Sequence, residues 1–179
     1  MPGFYDVDSL EKIAINLFYG WGYNFYRKEN QLRADDQLVR SKVGSILSSA
    51  RKSVETAESA YRREFLPPPS REKPRHDAAA VAGAQAIERL SKGIGAVAGL
   101  VTALPVPESN RMTQRYRDEA VTLQQLLQCD QLLVGQAELL RTMLDQKAGP
   151  WLIENTTAVQ DGLTALGETL RNRKMLLLG

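Results

Sequence analysis

One cysteine and one histidine stand among the 179 residues of this chain. The lone Cys129 excludes an internal disulfide and fits a reducing compartment, so a cytoplasmic location is the expectation. A single His with a single Cys leaves a zinc cage short of ligands. A carboxylate-bridged dimetal site, which needs two Glu-x-x-His pairs on facing helices, lacks its second histidine. Neither a metal nor a cofactor is therefore expected. His76 falls in a proline-rich stretch and reads as a solvated surface residue, while Asp130 beside Cys129 opposes thiolate formation and makes the cysteine structural.

Other shortages narrow the classes further. No Walker-type or Rossmann-type glycine loop occurs, and the run GIGAVAG, 93–99, has no strand before it. A surplus of one charge is also missing. Lys and Arg number 23 against 21 Asp and Glu, for a net charge of +2, where a nucleic-acid binder concentrates basic residues. The apolar run from Gly93 to Val106 is about 14 residues, against the roughly 20 that span a bilayer. Asp6, Asp8 and Glu11 stand where a secretory leader needs a basic and then an apolar region, so no leader is expected. Strand-like alternation between hairpin turns is nowhere found.

What the chain does have is helical periodicity cut by proline and glycine. The length suits one domain, 1–179. Asp8 with Glu11 reads as a capping box for a short helix over 9–19. Gly20 and Gly22 mark a turn, and a second helix is expected over 23–66 with Val43, Ile46, Ala50, Val54, Ala57, Tyr61 and Phe65 on one stripe. Pro67-Pro68-Pro69 stops it, leaving 67–76 as an exposed, charged, polyproline-like loop. Asp77 can cap a third helix over 77–104. There Ala80, Gly83, Ile87, Leu90, Ile94, Val97, Val101 and Leu104 form a heptad stripe.

A fourth helix is expected over 110–146, with Met112, Tyr116, Leu123, Leu126, Leu133, Ala137, Leu140 and Leu144 inward. The last, over 150–178, opens on Pro150 and carries Leu152, Val159, Leu163, Leu166, Leu170 and Leu177. The fold class that follows is all-α. It is an antiparallel, up-and-down bundle of four long helices with coiled-coil-like packing, preceded by a short N-terminal helix.

Two features stand out against that frame. Asp130 occupies the inward stripe between Leu126 and Leu133, where a leucine is expected. A buried acid there needs a partner and would fix the register of the bundle, unless helix rotation carries it to the margin. The run FYGWGYNFY sets Phe18, Tyr19, Trp21, Tyr23, Phe25 and Tyr26 within nine residues of a chain that has twelve aromatics. Interleaved Arg27, Lys28, Arg33 and Arg40 suggest a nucleic-acid surface. However, Glu29, Asp35 and Asp36 repel phosphate, and Glu29–Arg33 and Asp36–Arg40 have the spacing of intrahelical ion pairs.

The aromatics therefore read as packing plus a protein interface, with Trp21 as its anchor. The functional expectation is a non-enzymatic interaction module, an adaptor, assembly factor or scaffold subunit, binding another protein or its own copy. Two alternatives remain. One is a peripheral lipid-binding bundle that uses the glycine-rich third helix and the C-terminal RNRKMLLLG. The other is a small-molecule-binding or catalytic bundle centred on Asp130 and the aromatics.

Overall fold

The structure is a computed structural model that describes residues 3–19, 32–71, 75–104 and 120–178, the side chains of Tyr19, 32–35, 120–123 and 177–178 excepted. Six helices follow in order: α1 (Val7–Tyr19), α2 (Leu32–Phe65), α3 (Ala78–Ala103), α4 (Ala120–Leu144), α5 (Gly149–Glu154) and α6 (Thr156–Leu178). The described residues contain no strand, and the fold is an all-α helical bundle. The expected starts of the second helix at 23 and of the fourth at 110 lie outside the described residues.

Helix ends follow capping chemistry, with two departures from the sequence reading. Asp6, not Asp8, opens α1. Its carboxylate accepts from the Ser9 amide at 3.3 Å and the Ser9 hydroxyl at 2.7 Å. These bonds, the hydroxyl first, hold the Asp6 carboxyl below the usual range. Asp8 falls two residues too late for that role and sits in the first turn. Asp77 caps α3 as expected, accepting from the Ala79 amide at 3.2 Å.

The second departure is a break in the expected last helix at Asn155. There the backbone opens to φ −104°, ψ 18° and the Asn155 side chain donates to the Trp151 carbonyl at 2.9 Å. Thr156 turns its hydroxyl back onto the Leu152 and Ile153 carbonyls, so local side-chain bonds compete with the helical ladder. The fourth helix also ends earlier than expected, at Leu144, before a turn in which Gln146 takes φ 53°.

The stripes become one buried core. All eight α3 positions from Ala80 to Leu104 are buried, as are Val43 to Tyr61 on α2; Phe65 ends that stripe half in solvent. Leu126, Leu133, Ala137, Leu140 and Leu144 of α4 join them, with Leu152, Val159, Leu166 and Leu170 from α5 and α6. Each long helix packs on two others, α2 on α3 and α4, and α6 on α3 and α4.

Pairwise contacts give the directions. Arg40 reaches the end of α3 at Leu104 while Tyr61 lies over Gly83 near its start, so α2 and α3 are antiparallel. Arg173 meets Asp130 and Thr169 meets Gln136, which makes α4 and α6 antiparallel as well. Helices α2 and α6 thus stand diagonally across the bundle.

Helix α1 packs chiefly against α4. The two backbones come so close that a Cβ on Gly135 would run into the Leu10 carbonyl. The Gln136 amide donates to the Phe4 carbonyl at 3.1 Å, and the Phe4 ring lies over Gly162 of α6. Helix α4 therefore buries a second face, including Val134, Gln136 and Leu139, beyond the stripe toward α2 and α6. A helix covered on several sides shows weak one-sided amphipathicity, and the sequence reading saw only one of its two faces.

Candidate functional site

Asp130 is fully buried, and its partner is Arg173, itself 2% exposed on α6. The guanidinium works in two directions. Its Nε donates to Asp130 Oδ1 at 2.6 Å, and its Nη2 donates across the bundle to Asp36 Oδ1 of α2 at 2.7 Å. Asp36 Oδ2 in turn accepts from Arg40 Nη2 at 2.5 Å, one helical turn on. Arg40 Nη1 then donates to the Leu104 carbonyl, at the C-cap of α3, at 2.6 Å.

One polar chain thus joins all four long helices at a single end of the bundle. Among the described residues it holds two carboxylates and two guanidinium groups, whose charges balance. That balance is what makes the burial sustainable, because an uncompensated ion in this environment costs several kcal/mol, about 3–5 when a partner is removed. The planar fork of arginine suits the central position, since it presents donors to two carboxylates at once where a lysine offers a point charge. The expected register role of Asp130 is consistent with this geometry. The small-molecule alternative meets an acid already engaged with Arg173.

The Asp36–Arg40 ion pair was legible from its spacing. The role of Arg173 was not: in sequence it is one member of the basic cluster RNRKMLLLG, and the structure buries it. Its burial places it on the inner stripe one turn after Leu170 and two turns after Leu166. The signal was available. A charged residue continues the apolar stripe in three helices, at Asp36 before Val43, at Asp130 after Leu126, and at Arg173 after Leu170.

Cys129, next to this network, is half-buried. Its thiol pKa is pushed up, first by burial and then by the Asp130 charge, with Arg173 opposing. His76 is exposed in the α2–α3 connection. Among the described residues no three His, Cys, Asp or Glu side chains gather as a metal ion would require.

The six aromatics divide unevenly. Phe18 is 1% exposed and belongs to the core cluster, so its ring packs the fold and is not available as an interface. The Tyr19 side chain and Trp21, Tyr23, Phe25 and Tyr26 lie outside the described residues.

A different surface comes from the glycines. Most helical glycines make room for a neighbour: Gly83 for Tyr61 and Ile153, Gly93 for Leu163, Gly95 for Arg51, Gly135 for the Leu10 backbone and Gly162 for Phe4. Gly44, Gly99 and Gly167 do not, because among the described residues a Cβ at any of them would meet nothing within 4 Å. With Arg40 at Leu104, Arg51 beside Gly95 and Tyr61 over Gly83, the antiparallel register brings Gly44 and Gly99 to facing positions on the α2–α3 seam.

Around them the outward side chains are small or apolar: Ser41, Ser45 and Ser48 on α2, and Ala96, Leu100 and Ala103 on α3. No charged residue occurs from Val43 to Ala50 or from Gly93 to Leu104. Leu100 stands 55% exposed beside the two glycines. No described helix is long and apolar enough to cross a membrane.

No protein-family model matches the chain, and no curated protein or solved structure matches it significantly.

Proposed function

We propose that this protein is a non-enzymatic helical interaction module, an adaptor, assembly factor or scaffold subunit that binds another protein or a second copy of itself. The observation that carries the reading is the pair Gly44 and Gly99. Each sits inside a helix, where glycine costs roughly 0.5–1 kcal/mol relative to alanine, and packing among the described residues gives neither a reason to be there; Gly167 on α6 shares that lack, but only these two face each other across a helix seam. Helix backbones approach each other closely where both present glycine, and the exposed Leu100 supplies an apolar knob next to the gap. The aromatics Tyr19, Trp21, Tyr23, Phe25 and Tyr26 remain a proposed second part of the interface, with Trp21 as anchor. Phe18 drops out of that set.

The test separates stability from association. Gly44→Ala and Gly99→Ala should each raise the unfolding free energy by roughly 0.5–1 kcal/mol, because the added methyl meets open space. Gly135→Ala, where the methyl meets the Leu10 carbonyl, should lower it. Gly99→Arg should leave the circular dichroism spectrum unchanged. It should also weaken self-association or partner binding by at least about tenfold, measured by light scattering and by retention of known partners. Association untouched by Gly99→Arg removes this face from the proposal. A lipid-binding role would use the same uncharged surface, and flotation of the wild-type chain with anionic vesicles would favour that role instead.

A further inference from the structure

The connection between α2 and α3 is longer than its task requires. Antiparallel neighbours in a bundle are usually joined by about 2–8 residues, and here Phe65 and Ala78 are separated by residues 66–77. Leu66 still donates to the Arg62 carbonyl at 3.0 Å and packs partly against the core. After it the chain leaves the bundle. Pro67, Pro68 and Pro69 are all exposed and outside any helix, followed by exposed Ser70 and Arg71.

One proline ends a helix, because it lacks the amide proton and restricts the residue before it. The second and third add nothing to that stop, and none of the three is buried against the fold. What three consecutive prolines do provide is a preformed polyproline II segment, with three residues per turn and no amide donors to satisfy. Such a segment loses little conformational entropy on binding.

The surroundings specify the complement. Arg63, Arg71 and Arg75 are exposed on either side of the prolines, and no described carboxylate forms an ion pair with them. Arg71 follows Pro68 by three residues, the length of one polyproline II turn, and stands at a bend in the chain. Phe65, 41% exposed, has its ring 4.5 Å from that of Tyr61 at the helix end, which gives the segment a rigid aromatic base.

We propose that Pro67-Pro68-Pro69 with Arg71 is a docking ligand for a partner protein whose groove is lined by aromatic rings and carries a carboxylate at one rim. The rings receive the proline ridges, as polyproline-recognition domains do, and the carboxylate takes the Arg71 guanidinium. This contact uses the loop beyond the C-terminal end of α2, away from Gly44 and Gly99. It stands or falls independently of the proposed α2–α3 surface.

The test uses the full isotope-labelled chain titrated with purified SH3, WW and EVH1 domains, each chosen with an acidic groove rim. Saturable shifts at the Leu66, Ser70 and Arg71 amides with at least one domain are expected. Changing Pro67, Pro68 and Pro69 together to alanine should weaken binding by at least about tenfold, with circular dichroism unchanged. Arg71→Glu should weaken it several-fold, and added salt should do the same. Gly99→Arg should leave it intact. If none of the three domains binds, if the shifts map elsewhere, or if the triple-alanine chain binds as the wild type does, the proposal is overturned.

Discussion

Arg173→Met should cost about 3–5 kcal/mol of unfolding free energy, a large share of what a domain of this size has in reserve. Methionine retains much of the arginine's length, so the effect is chiefly electrostatic. The wild-type network sets two guanidinium groups against two carboxylates. Without Arg173 the described network has one more carboxylate than guanidinium groups, and Asp130 loses a donor 2.6 Å away. Asp36 keeps its pair with Arg40.

The double variant Arg173→Met with Asp130→Leu removes one charge of each sign and keeps the Asp36–Arg40 pair. It should therefore be more stable than Arg173→Met alone, since replacing a whole buried pair with apolar groups is often close to neutral. Arg173→Lys should fall between wild type and methionine, because a single ammonium cannot fork between Asp36 and Asp130. Urea unfolding of the four proteins supplies the numbers. A cost below about 1 kcal/mol for Arg173→Met would mean that the guanidinium is not held in a desolvated site.

The same network shows what sequence can and cannot reveal. Asp130 stood out because an acid on an apolar stripe breaks a pattern. The identity of its partner did not, because pairing between helices depends on how the four are arranged in space. Periodicity fixes which face of each helix turns inward, so the α3 stripe from Ala80 to Leu104 was readable position by position. It does not say which helices are neighbours. The second buried face of α4 was hidden for the same reason: only the docked α1 makes Gly135 and Gln136 interior.

Breaks smaller than a proline were also hard to read. Asn155 and Thr156 are ordinary polar residues until their side chains bond back to carbonyls one turn earlier. The glycine pair on the α2–α3 seam is the clearest case of information divided between the two levels. The sequence shows glycines in helices, and only the structure shows which of them have nothing beside them.

Phe18→Ala is the second large effect expected, about 3–5 kcal/mol for truncating a fully buried aromatic. Phe18 closes the C-terminal half of α1, whose other buried residues are Leu10 and Ala14, and it belongs to the same continuous core as Val39, Val43 and Leu133. A helix of 13 residues is marginal in water by itself. The stability of α1 therefore comes from docking on α4, and that docking depends on this ring. The loss should be local before it is global. Amide exchange should accelerate first along Val7–Tyr19 and at α4 residues near Gly135, while α3 stays protected. Trp21→Ala is the contrasting variant, since under the proposed function its effect falls on association and not on melting. If Phe18→Ala left α1 protected and the melting curve in place, α1 would not be held by this ring. The aromatic run would then have to be read as a single surface rather than as a core residue followed by an interface.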